Sequence, residues 1–286
     1  MSFQNQSKLY FVNIWNNFKI IASSILKNLR TYLYVIIIPI FFLTALFIYQ
    51  NTNLASEIKI SRIVSFLHVP GFMLIFLVNV TIAEWKNSVF LKRIHSAGVS
   101  KVNFLISMAI FIFVLGIVSV LISFGYLLIL SQIFFKSLHV TAQLRLISFG
   151  GWIATWYGVF LTIGISITLG IITSGLLKSV ALSQTITTLI ILFSLIFSDN
   201  FLGPEFVGKD KYLTAISYFL PYKYSVWTSF IGASDGLPSL IFNNDVSAFR
   251  IHFSFGLNIW AALFSGTGFL ALLGVGAHYS FRWNAK

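Results

Sequence analysis

The feature that most constrains this chain is where its charges are missing. Six stretches without Asp, Glu, Lys or Arg reach 20 residues: 31–56, 63–83, 102–135, 146–177, 179–198 and 251–281. The next longest has 11 residues. A hydrocarbon core about 30 Å thick is crossed by roughly 20 apolar residues of helix. A charge at the centre of such a helix costs about 2.5–3.5 kcal/mol on the insertion scale. The gaps therefore predict six transmembrane helices, with apolar centres at Tyr32–Tyr49, Ile63–Ala83, Val102–Leu130, Ser148–Thr173, Val180–Ser198 and Phe255–Ala277. The runs are long and lack the strict alternation of barrel strands. Charged residues make up 9% of the chain and hydrophobic ones 57%, against roughly 25% and 45–50% in a soluble domain. That balance excludes a soluble enzyme, a disordered tail and a DNA-binding module, so the net charge of +12 is read as a membrane signal and not as a nucleic-acid one. The absence of Cys excludes a disulfide framework, thiol catalysis and a Cys-ligated metal.

Lys and Arg give the orientation. With the amino terminus inside, segments 1–31, 84–101, 174–179 and 278–286 hold 11 basic residues in 64, and the opposite side holds 8 in 85. The positive-inside rule then places both termini in the cytoplasm. Glu57, Asp199, Glu205, Asp210, Asp235 and Asp245 fall outside, and Glu84 is the one cytoplasmic acid. Residues 1–31 lack the short apolar core and cleavage site of a signal peptide. Phe11, Ile14, Trp15, Phe18, Ile21, Ala22, Ile25 and Leu29 recur mostly at three- and four-residue steps. This predicts an amphipathic helix on the inner membrane face, the alternative being a cytosolic helix packed on another domain. The chain reads as a single transmembrane domain, 1–286. It has two excursions, a cytoplasmic loop 84–101 and an outer segment 199–254.

Gly203-Pro204-Glu205-Phe206-Val207-Gly208-Lys209 fits the opening of a phosphate-binding loop, but Asp210 stands where Ser or Thr should hold magnesium. It is read as a Gly/Pro-rich turn after the fifth span. His68 lies within the second span without a carboxylate in any helix centre, which favours a hydrogen-bonding role over a proton relay. Pro39 and Pro70-Gly71 predict kinks. In the fourth span Ala154, Gly158, Thr162, Ser166, Gly170 and Ser174 follow one another at four-residue steps. Such a row lets helices approach closely, either as fixed packing or as a sliding surface. In the outer segment Leu213–Ile231 is apolar and aromatic, interrupted by Pro221 and Lys223. It predicts short re-entrant or surface helices with Tyr218, Phe219, Tyr222, Tyr224, Trp227 and Phe230 at headgroup depth. An ordinary extracellular loop is the alternative.

The loop from Glu84 to Ser100 is the most informative stretch. As one helix it turns Trp85, Val89, Phe90, Ile94 and Ala97 to one side and Lys86 and Arg93 to another. A basic amphipathic helix of this kind offers charge to lipid headgroups or to a partner protein, and the alternative is a solvated basic loop. Here the sequence resembles the membrane subunits of type-2 ABC exporters. In that family a Glu at the end of the second span precedes a basic helix of the type Leu-Lys-Arg-Leu, then Thr-Pro-Val-Ser, leading into the third. This chain has Glu84, then Leu91-Lys92-Arg93-Ile94, then Ala97-Gly98-Val99-Ser100, with Gly98 where Pro is usual and Trp85 where Arg is common. The amino-terminal helix, six spans, tight turn between spans 4 and 5 and long outer segment extend the resemblance over nearly the whole chain.

The resemblance implies a permease subunit, not itself an enzyme, in the plasma membrane of a bacterium. It implies a second permease subunit, identical or related, and two cytosolic ABC ATPase subunits. ATP is bound by those partners, with no cofactor in this chain. The ATPases would push on the connecting helix through Glu84, Lys86, Lys92, Arg93 and His95. The implied cargo is a drug, an antimicrobial peptide or a lipid-like amphiphile. A cell-wall glycan or teichoic-acid exporter, or a non-transporting immunity or sensory subunit, are the rival readings. Membrane lipids are expected partners and nucleic acid is not. The expected fold is all-α: six spans, an interfacial amino-terminal helix, a connecting helix, and outer re-entrant helices around Pro221 and Trp227.

Overall fold

The structure is a computed structural model. It describes residues 3–53, 58–134, 136–177, 179–201, 204–207, 211–241 and 255–282. Glu57, Lys178, Lys209, Asp210, Asp245, Arg250 and Lys286, counted in the charge pattern, lie outside the described residues, as do the side chains of Lys8, Phe11 and Glu205.

Each charge-free stretch becomes a helix. After α1 (Phe3–Leu26), the first span is built from α2 (Leu29–Tyr32), a π-helical turn (Leu33–Ile37) and α3 (Ile38–Asn53). The remaining spans are α4 (Ile60–Asn87), α6 (Lys101–Ile133), α8 (Phe149–Leu176), α9 (Val180–Phe197) and α14 (Ile259–Ser280). Between them lie α5 (Phe90–Ser96), α7 (Ser137–Leu146) and four short helices after α9: α10 (Pro204–Val207), α11 (Lys211–Ser217), α12 (Pro221–Ala233) and α13 (Pro238–Ile241). No strand occurs among the described residues. Six helices are long and apolar enough to cross a bilayer, which makes this a multi-pass membrane protein. Five spans begin on a side chain that accepts a backbone N–H of the first turn: Asn28, Ser100, Ser148, Ser179 and Asn258 cap α2, α6, α8, α9 and α14. Such caps satisfy donors that a helix start leaves unpaired. At 33 residues, α6 is about 50 Å long. It exceeds the ~30 Å hydrocarbon core and must tilt or project beyond it.

The π-helical turn has a chemical cause. Pro39 has no N–H, so the carbonyl of Val35 loses its helical partner. Ser119 of α6 supplies one, its hydroxyl donating to Val35 O. A neighbouring hydroxyl that satisfies the freed carbonyl is what lets proline sit in a span. About two turns further along α6, Thr44 Oγ1 and Tyr126 Oη, 2.8 Å apart, tie α3 to α6 again.

The bundle is centred on α4, which is buried almost throughout, with α8 beside it. The helices α6, α9 and α14 surround them and keep broad apolar faces open. The row of small residues on α8 lies along these close approaches. A Cβ at Gly158 would lie 2.5 Å from Ser225 O of α12, and one at Gly170 would lie 2.6 Å from Val78 Cβ of α4. Thr162 and Ser166 are fully buried between the same neighbours, and Ser174 follows one turn after Gly170.

Two expectations need correction. In α1, Phe18, Ile21, Ala22 and Ile25 pack inward against the core, but Trp15 and Leu29 are exposed. The α1 helix ends at Leu26, so Leu29 belongs to the next helix and follows a different direction. In the outer segment, Tyr222, Trp227 and Phe230 are fully buried in protein and do not lie at its surface. Pro221 is the first residue of α12, where its missing N–H costs nothing. This helix inserts between α8 and α14 and rests on α4. Tyr212 and Phe219 just before it are exposed.

Candidate coupling site

The residues around Glu84 converge where α1, α2 and α4 meet. The chain turns sharply at Lys27 and Asn28. Thr31, itself buried, closes the corner by donating its hydroxyl to Ile25 O at 2.6 Å. Asn28 caps α2 through its side-chain oxygen, 3.1 Å from Arg30 N, and its amide nitrogen then points at α4. There Nδ2 donates to Glu84 Oε2 at 3.0 Å, while Arg30 donates to Glu84 Oε1. From the next residue of α4, Trp85 Nε1 donates to Ser24 Oγ of α1 at 3.2 Å. Three side-chain bridges thus fasten the corner between α1 and α2 to the end of α4. Glu84 accepts from two donors, one of them charged. The pair is partly exposed, with 38% of the Glu84 side chain accessible, so its strength is close to that of a surface pair, about 1 kcal/mol.

The connecting segment leaves this clamp in a way the spacing alone did not predict. The expected single helix from Glu84 to Ser100 is broken, because α4 ends at Asn87 and α5 starts at Phe90. Ser88, extended at the break, caps the new start by accepting from Phe90 N at 3.2 Å. The break separates Lys86 from Arg93. Lys86 reaches across to α8, where Nζ donates to the carbonyls of Ser174 and Gly175. It caps the carboxyl end of that helix, a site that favours cations. Val89 and Ala97, expected on the apolar side, are exposed. Phe90 stacks on Trp85 with centroids 4.8 Å apart, Leu91 is buried, and Ile94 packs against the same core. Lys92, Arg93 and His95 occupy the accessible side of α5. Gly98 ends the helix at φ +77°, with its N–H on His95 O and Val99 N–H on Ile94 O. This closure uses a left-handed residue, which Gly adopts freely and Pro cannot.

Behind the clamp, buried polar groups join α4 to the rest of the bundle at two levels. Nearer the clamp, Asn79 Nδ2 donates to Thr173 Oγ1 at 2.9 Å and to Ser183 Oγ at 2.6 Å, linking α4, α8 and α9. Farther along, Thr162 Oγ1 lies 2.7 Å from His68 Nδ1 and 2.8 Å from Ser225 Oγ, and Ser166 Oγ lies 2.7 Å from Tyr222 Oη. His68 is therefore a buried hydrogen-bonding group joining α4 to α8, which in turn holds α12.

The ion pair that sequence reading missed lies at the far end. Asp199, just past α9, and Lys223 of α12 are both fully buried, with Nζ 2.9 Å from Oδ2. Trp227 Nε1 donates to the same oxygen at 2.6 Å, and the Lys223 ammonium lies over the rings of Tyr218 and Trp227. Asp199 has φ +65°, an unusual conformation that Asp tolerates. The signal available was Lys223 itself, a cation inside an otherwise apolar segment, which called for an acid. Several outer acids were candidates and spacing did not choose among them.

Of the phosphate-loop look-alike, Pro204–Val207 forms one helical turn, while Gly203 and residues 208–210 lie outside the described residues. Among the described residues no group of three His, Cys, Asp or Glu could hold a metal ion. No known family model matches the sequence, and no curated protein matches it at a significant level.

Proposed function

We propose that this chain is the membrane subunit of an ATP-driven exporter with the type-2 ABC layout. It would work in the plasma membrane of a bacterium with both termini cytoplasmic, beside a second membrane subunit, identical or related. Two cytosolic ATPase subunits would dock beneath and supply the nucleotide site. The cargo proposed is a drug, an antimicrobial peptide or a lipid-like amphiphile. The observation that carries this reading is the clamp at Glu84. It joins the corner of α1 and α2 to the end of α4, next to a short helix whose accessible side is Lys92, Arg93 and His95. Force applied to α5 from outside the membrane would reach α4 through the Trp85–Phe90 stack, α1 through the Trp85–Ser24 bond and α2 through Glu84. From α4 the buried links at Asn79 and His68 lead on to α8, α9 and α12. Lys86 has a different role, holding the end of α8 against the end of α4.

The test is Glu84→Gln in vesicles reconstituted with the ATPase subunits. This change removes a charge, adds no bulk and leaves every Lys and Arg in place, so insertion should be normal. Losing the charged acceptor weakens the clamp by ~1 kcal/mol, and cargo-stimulated ATP hydrolysis should fall about fivefold. Wild-type rates in this variant would remove Glu84 from the coupling path.

A further inference from the structure

A long groove opens between α6, α8 and α14. Its wider part, about 490 Å³, is walled by Phe113, Val114, Tyr157, Phe160 and Leu270. A second cavity of about 290 Å³ continues it towards the face that carries Glu84, ending between Val102 and His278. The two share Ala109, Ile167 and Thr168, so they form one channel along the bundle surface. Its walls are almost wholly apolar. Along α6 the channel runs from Val102 to Val114, about 18 Å at 1.5 Å per residue. Half of a ~30 Å hydrocarbon core is about 15 Å, so the groove is as long as one leaflet is thick.

The mouth has the opposite character. Lys101 immediately precedes Val102, and Arg282 follows α14 directly after Phe281, whose ring packs on Phe104 of α6 at 5.5 Å. Lys101 and Lys86 both lie near enough to Arg282 to be repelled by it, so three cations gather at this end, although Lys86 is already held by the Ser174 and Gly175 carbonyls. Among the described residues the ion pairs are Arg30–Glu84 and Lys223–Asp199, and neither includes these three. Glu84, the single acid on this face among the described residues, is already held by Arg30 and Asn28. Like charges gathered without an acid repel one another, and an anion between them removes that cost.

We propose that this groove binds an anionic phospholipid from the leaflet on the side of α1, one acyl chain lying between α6, α8 and α14 and the phosphate seated at Lys101 and Arg282. The apolar length matches one leaflet and the mouth supplies the missing charge complement. A second copy of this chain is a poor occupant, because a two-fold contact across this mouth would set the same three cations against each other. The assignment does not rest on the exporter reading, since it uses only the groove and its mouth.

The test uses the full chain in zwitterionic detergent, with native mass spectrometry counting bound lipid as phosphatidylglycerol or phosphatidylcholine is titrated in. The wild type should retain one phosphatidylglycerol per chain in preference to phosphatidylcholine. Lys101→Gln with Arg282→Gln should cut that preference about 25-fold, roughly fivefold for each cation removed near an anionic headgroup. Both changes lie at the end of the groove and leave its walls intact, so this arm stands apart from any folding defect. Ala109→Trp, which fills the channel where its two parts meet, should abolish retention of both lipids, with thermal melting to confirm the fold. Equal retention of the two lipids by the wild type would overturn the proposal. So would a preference that survives loss of both cations, or a lipid-free dimer joined across the groove.

Discussion

Replacing Asp199 with Asn removes one charge and almost no volume from a fully buried ion pair. Asn tolerates the positive φ at this position as Asp does, so backbone strain is not introduced. The Asn side-chain oxygen can still accept from Trp227 Nε1, which lies 2.6 Å from Asp199 Oδ2. What changes is Lys223, whose ammonium loses its counter-charge 2.9 Å away. At an effective dielectric constant near 20 that attraction is about 6 kcal/mol. Dehydrating the two ions opposes it by several kcal/mol each, so the intact pair contributes little net stability. Breaking it is different, because a buried cation is left behind, at a typical cost of about 3–5 kcal/mol. The rings of Tyr218 and Trp227, 5.1 and 5.7 Å from the ammonium, retain some stabilisation and favour the lower end of that range. We expect Asp199→Asn to destabilise by ~3 kcal/mol and Lys223→Met by a similar amount. The double variant should be within about 1–2 kcal/mol of wild type, because neither uncompensated charge remains. The assay is a double-mutant cycle from unfolding by SDS titration in mixed micelles. Single variants within about 0.5 kcal/mol of wild type, or a double variant equal to their sum, would show that no buried charge is left uncompensated.

Gly158→Leu should lower the melting temperature and destabilise by about 1–3 kcal/mol, since its Cβ would overlap Ser229 Oγ and approach Ser225 O at the contact of α8 with α12. An unchanged melting temperature would show that α12 does not rest there. Gly98→Pro should loosen the end of α5, because Pro cannot adopt φ +77°. Hydrogen exchange should then quicken at residues 93–99, and unchanged protection would contradict this closure. The chain has no Cys, so single Cys residues report topology cleanly. In intact cells Ser96→Cys should resist an impermeant thiol reagent and Phe219→Cys, at an 82% exposed position, should react; the reverse pattern would invert the orientation.

The six spans were legible because the cost of a charge in hydrocarbon is local. Each charge-free stretch contains one membrane-long helix, and the Ser and Asn caps sit at their starts. Glu84 was legible as a candidate because it is the one acid among the basic segments, although its partners Asn28 and Arg30 lie 56 and 54 residues away. Contacts set by the packing of separate elements were not legible. Nothing in spacing joins Asp199 to Lys223, and the two meet because α12 inserts between α8 and α14. The break at Ser88 was hidden because Trp85, Phe90 and Ile94 fit a helical face whether or not the chain bends between them. The left-handed turn at Gly98 was hidden too, because a helix end of this kind depends on a backbone angle that spacing does not show.

The proposed supply of energy to this chain from a separate ATPase through α5 is tested by native mass spectrometry of the complex, extracted in mild detergent from its own membrane through a tag on this chain. The account predicts two membrane subunits with two ATPase subunits, and Lys92→Glu with Arg93→Glu should release the ATPases while the spans stay folded. Recovery of the chain without any nucleotide-binding partner, or an ATPase complex indifferent to both charge reversals, would contradict it.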